Sequence, residues 1–223
     1  MDNVLCIFLL IIVTIAMLYT AFQDPDFKGH LYVTKKDKVS LTIFLILFTI
    51  ILVHMPLYPK IYVSIALPIL LVSAFTDKQT KLLYNSVFYI LAALSLILET
   101  LQASTTTFNY QTLFHFDLSM KTLSIILFVL IMDVFQMYGN GDKGMAVVCG
   151  CAWYLFHPEG GITGCMLAEC IMLTIAECTF YVKAIKEKNL AGPFRLKESR
   201  PLGPDLLVAT TIVLLGGSLI WGS

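Results

Sequence analysis

Apolar residues arrive along this chain in long unbroken runs, not at the three-to-four-residue spacing of a helix with one wet face. Eight runs stand out, at 4–22, 39–54, 61–76, 86–101, 121–138, 144–157, 162–182 and 206–221. Runs like these predict helices that are apolar all round. Such helices suit hydrocarbon, where every backbone polar group must be satisfied within its own segment. Several runs fall short of the ~20 residues that a full crossing takes, so they would tilt or borrow flanking residues. At 55–60 only MPLYPK divides the second run from the third, the least distinct of the boundaries. The expected fold is all-α: one polytopic membrane domain over 1–223 with about eight transmembrane helices.

The charges between the runs alternate. Lys28, Lys35, Lys36 and Lys38 share the first connection, Lys78 and Lys81 the third, Lys143 the fifth, and Lys183, Lys186, Lys188, Arg195, Lys197 and Arg200 the seventh. Thirteen of the fifteen Lys and Arg residues lie there, with Lys60 and Lys121 as exceptions. By the positive-inside rule, both termini are outside and the loops near 23–38, 77–85, 139–143 and 183–203 are cytoplasmic. The first run follows Asp2, not a basic start, and no small-residue cleavage site succeeds it, so it reads as a permanent helix and not a signal peptide. Composition agrees with this picture: 58% of residues are hydrophobic and 13% charged, against about 25% charged in soluble domains. A net charge of zero gives no support to a nucleic-acid partner. The six cysteines lie in apolar runs without CxxC pairs, and the four histidines are scattered. The cysteines read as small buried hydrophobes, Cys149 and Cys151 on different helix faces, and no metal or cofactor is expected.

One polar stretch breaks the pattern. MYGNGDKGMAV, residues 137–147, crowds three glycines, an asparagine, an aspartate and a lysine between two apolar runs. It reads as a glycine turn that lets the backbone bend and approach a partner closely. At the same expected border, ILLVSAFTDKQTKLLYN runs an apolar helix into Asp77. Asp77 ends the third run and Asp142 ends the fifth. Two carboxylates brought together in a poorly solvated pocket share a proton, and the pair can serve as base and acid on one water molecule. Water then attacks a peptide carbonyl while the second carboxyl protonates the oxygen and later the leaving amine. Two ordinary helix-end aspartates facing water are the alternative at this point.

GNGD at 139–142, DKQTKLLYN at 77–85 and RPLGPDLL at 200–207 together resemble the motifs of the type IV prepilin peptidases and their archaeal preflagellin relatives, membrane aspartic proteases with a Gly-x-Gly-Asp motif. The resemblance covers roughly 61–221. It implies Asp77 and Asp142 as the catalytic pair, with Gly139, Gly141, Lys143 and Asn85 supporting the active-site loop, and Pro201 and Pro204 leading into the last helix. Three departures stand out: Tyr84 replaces the family's proline, Asp205 stands where an apolar or aromatic residue is usual, and Lys143 directly follows the aspartate. Family members remove the short basic leader of pilin-like or flagellin-like precursors at the cytoplasmic face of a prokaryotic cell membrane. The first cytoplasmic loop, about 16 residues long, lacks the paired CxxC motifs of members that also N-methylate the product, so cleavage without methylation is expected.

The remaining polar residues carry plainer readings beside functional ones. Lys143 either steadies the ionised aspartate or anchors the positive-inside loop. Asn85 caps the following helix. Pro68 would kink the third helix and aim Asp77 inward. Asp133, Glu169 and Glu177 lie within apolar runs, where an ionisable group points by default to function; Asp133 and Glu177 can snorkel or pair with lysines, and Glu169 has no evident partner. Two other readings stay open. A presenilin or signal-peptide-peptidase type would also use Gly-x-Gly-Asp, but with a tyrosine before the first aspartate and a Pro-Ala-Leu motif, both absent here. A transporter would line a polar path with Asp133, Glu169 and Glu177, and would show internal repeats.

Overall fold

A computed structural model describes residues 2–27, 29–81, 85–105, 130–131, 140–156, 161–188, 190–192, 195–196 and 201–221. The expected fifth run, with Asp133, and also Tyr84 and Gly139, fall outside these apart from Leu130 and Ile131. Seven helices are present among the described residues: α1 (Asp2–Gln23), α2 (Lys35–Val53), α3 (Leu57–Thr80), α4 (Asn85–Thr105), α5 (Asn140–Phe156), α6 (Gly161–Lys186) and α7 (Gly203–Trp221). They occupy seven of the eight apolar runs. The described residues are all-α apart from a short antiparallel pair, β1 (Leu190–Gly192) and β2 (Arg195–Leu196), within the expected 183–203 loop.

Helix ends differ from the expected ones for local reasons. The second helix starts at Lys35, not near 39, because Thr34 and Asp37 form a capping box. Thr34 Oγ1 accepts from the Asp37 N–H at 3.2 Å, and Asp37 Oδ2 accepts from the Thr34 N–H at 3.1 Å. Three of the lysines assigned to a loop therefore sit in its first turn. The MPLYPK seam is a real break: α2 ends at Val53, and Pro56, at φ −61°, caps α3. Within α3 the helix runs on through Pro68 to Thr80. Likewise α6 continues to Lys186, which brings Lys183 into the helix.

Among the described residues two helices, α1 and α3, are long and apolar enough to cross a membrane, and they occupy opposite environments: 22% of the apolar window of α1 is buried against 78% for α3. The interior is built on α3, which packs against α1, α2, α4, α5 and α7, and on α5, which packs against α3, α4, α6 and α7. Crowding on several sides explains why Cys149 and Cys151, two apart and expected on different faces, are both fully buried. Cys170 and Cys178, by contrast, are exposed, so burial does not extend to every cysteine. Large apolar side chains, such as Phe8, Ile15, Ile46, Tyr89, Ile90 and Leu167, stand exposed on the outer helices.

Polar contacts fix the direction of the bundle. Lys60, in the first turn of α3 and buried, donates to Asn3 Oδ1 at the start of α1, so this exception to the lysine pattern is held inside the protein. At the other end, Tyr32 in the α1–α2 loop exchanges two hydrogen bonds with Gln79, of 2.9 and 2.8 Å. Lys78 meets Asp37 there at 2.7 Å. The α1–α2 loop, the start of α2 and the end of α3 therefore share one end.

Candidate active site

That end holds Asp77. One turn beyond it α3 stops, because Lys81 adopts the left-handed conformation at φ 60° and its N–H returns to the Asp77 carbonyl at 2.8 Å. The Asp77 carboxylate is only 5% exposed. Its Oδ2 accepts a hydrogen bond of 2.8 Å from the Gly203 N–H, the first residue of α7. Amide groups in the first turn of a helix have no partner within that helix and carry the positive end of its dipole, which suits them to hold a carboxylate.

RPLGPD builds this contact. Pro204 fits the first turn of α7, where a missing N–H costs nothing, and the Leu202 carbonyl receives the N–H groups of Asp205 and Leu206 at 2.9 and 3.0 Å. Glycine at 203 permits the close approach: a Cβ there would lie 2.8 Å from Asp77 Oδ2 and 3.2 Å from its Cβ. The sequence points to Pro201 and Pro204 as the entry to this helix, but the residue that makes the contact is the glycine between them. A glycine enclosed by prolines at a helix start was the available signal.

Asp142 lies in the first turn of α5 and is half-buried. The glycine-rich stretch is therefore helical from Asn140 onward, not a turn. Neither Gly141 nor Gly144 uses the positive φ that the turn would need; among described glycines only Gly29 does. Gly144 serves close packing instead, since a Cβ there would meet Phe88, in the first turn of α4, at 2.7 Å. Because α4 begins four residues after Lys81, this contact sets the start of α5 at the end of the bundle that holds Asp77. Both aspartates thus occupy one end of the molecule. Lys143 and Gly141 are buried beside Asp142, so the lysine is no exposed anchor. Asn85 begins α4, but its side chain is outside the described set.

Asp205 is 1% exposed and receives the Lys183 ammonium from α6. An acid at this point ties the start of α7 to the end of α6, two residues from Gly203. Glu169 is also buried, in the crossing of α6 with α5, where Gly150 leaves room for it: a Cβ at 150 would fall 2.2 Å from Glu169 Oε1. Glu177 is half-buried farther along α6. Among the described residues no group of three or more histidine, cysteine or acidic side chains is arranged to hold a metal.

No protein-family model matches the chain, and no curated protein or solved structure matches it significantly.

Proposed function

We propose that this protein is an eight-span membrane aspartic endopeptidase of the prepilin-leader type, with Asp77 and Asp142 sharing a proton at the cytoplasmic lip of a prokaryotic cell membrane. The observation that carries the reading is the buried Asp77 carboxylate, anchored by the Gly203 N–H at the end of the bundle where α5 starts, with Asp142 in its first turn. An anchored carboxylate keeps its orientation, and the two carboxyls, sharing one proton, serve as base toward water and as acid toward the departing amine. A site at the end of the bundle suits a precursor whose basic leader stays in the cytosol while its apolar segment enters lipid beside the enzyme.

Two features support the membrane setting. Large apolar side chains stand exposed along the outer helices, as lipid-facing side chains do. Hydroxyls of Thr14, Thr49, Ser95 and Thr211 return to carbonyls three or four residues earlier in their own helices, at 2.7–2.8 Å, as hydroxyls do where water is scarce.

Co-expression with a pilin-like precursor, its size read on a gel, tests the proposal. Asp77→Asn and Asp142→Asn should each lower processing by about 10²–10⁴-fold, the usual contribution of an acid or base, while Glu169→Gln stays active. Processing that survives either aspartate change sinks the mechanism. Processing lost in Glu169→Gln and kept in both aspartate variants would favour a role for the deep acids instead.

A further inference from the structure

Beside the aspartate end, α2, α3 and α7 leave a cleft of about 220 Å³ between them, bordered also by Lys183 of α6. Its walls are apolar, formed by Leu41 and Phe44 of α2, Leu71 and Phe75 of α3 and Leu207 of α7. Two lysines stand at its rim. Lys78 pairs with Asp37 and Lys183 with Asp205, so on formal charge the rim is neutral. Exposure breaks that neutrality. The two carboxylates are 5% and 1% exposed, whereas the lysine side chains are 54% and 44% exposed. Each pair is therefore a dipole with its negative end inside and its positive end outward, and the field at the mouth is positive over an apolar slot.

We propose that this cleft binds an anionic phospholipid of the surrounding leaflet, the phosphate at Lys78 and Lys183 and part of an acyl chain along Phe44, Leu71 and Phe75. The proposal rests on the membrane setting given above but not on peptidase chemistry. Three features select this occupant. The volume falls below the ~300–1,000 Å³ of sites for compact small molecules, and a slender chain fits where a helix would not. The wall between the charged rim residues is mainly apolar, which suits a hydrocarbon. Outward lysines between helices at the cytoplasmic side match an anionic headgroup and disfavour a zwitterionic one. Phe75 and Pro204 line the slot and are near neighbours in sequence of Asp77 and Gly203, so a seated lipid would brace the helix ends that hold the aspartate.

Native mass spectrometry of the purified protein in detergent, titrated with phosphatidylglycerol or phosphatidylcholine, tests this without any precursor. Wild type should retain phosphatidylglycerol preferentially. Lys78→Gln should weaken that retention about fivefold, the contribution of one basic residue at an anionic surface. Ala74→Leu fills the slot without touching a charge and should abolish the preference; circular dichroism checks that both variants are folded. Equal retention of the two lipids by wild type overturns the proposal, as does undiminished phosphatidylglycerol binding by folded Lys78→Gln and Ala74→Leu.

Discussion

Gly203 contributes two things at once, an unencumbered N–H and the absence of a Cβ. With Oδ2 of Asp77 2.8 Å from where that Cβ would be, alanine must push the carboxylate or the α7 backbone aside. Gly203→Ala should therefore lower precursor processing by about 10²-fold, the size of effect that a displacement near 1 Å produces in a positioned group. The helices should remain, so circular dichroism of the purified variant is expected to match wild type. Full activity in Gly203→Ala would mean that the Asp77 contact has no part in the reaction. The role of this residue could not be taken from its type. Glycine is compatible with any loop, and what makes 203 special is a neighbour 126 positions away.

Helix by helix, the polar residues that break the apolar runs prove to be joints between elements. Asp37 closes the cap of α2 and reaches Lys78 on α3. Burial pushes its carboxyl up, but the Lys78 ammonium and the Thr34 donors outweigh burial and hold it below the usual carboxylate range. A group whose pKa is lower in the folded state adds stability above its unfolded value, ~3.9 for aspartate, and loses it as pH falls through the folded value. Thermal midpoints in detergent should accordingly fall on acidification below about pH 4, and Asp37→Asn should lower the neutral-pH midpoint and flatten part of that acid limb. An acid limb identical in wild type and variant would assign the loss to other carboxylates. The α5–α6 crossing is a second joint. Gly150→Ala should cost about 1–3 kcal/mol, as overpacking does. Combining it with Glu169→Ala, which removes the clashing carboxylate, should recover most of that cost in a double-mutant cycle. Additive losses would mean that Gly150 and Glu169 do not share the space.

For the whole molecule, the contacts divide the bundle into two ends. Asn3, Lys60 and the α2–α3 junction mark one; the loop 24–34, Asp77, the start of α5 and the start of α7 mark the other. In intact cells or oriented vesicles, cysteines introduced at exposed Asp26 and exposed His54 should label from opposite sides with an impermeant thiol reagent, in a background whose exposed Cys170 and Cys178 are changed to alanine. Labelling of both from the same side would break the proposed alternation. Apolar run length was enough to place seven helices and their order, because helix formation in an apolar run depends on the residues of that run. It also placed Asp77 near the end of the third helix, whereas Asp142, expected to end the fifth run, stands in the first turn of α5. Periodicity had no means of telling which buried acids are joints, that the glycine-rich stretch continues as helix, or that Lys60 points inward. Those outcomes depend on which helix lies beside which, and on a glycine in one helix leaving space for a side chain of another. The sequence by itself determined that the chain is helical and where seven of its helices lie. Only the tertiary structure decided that the start of α7 grips Asp77, since that hydrogen bond joins residues whose spacing along the chain says nothing of their distance in space.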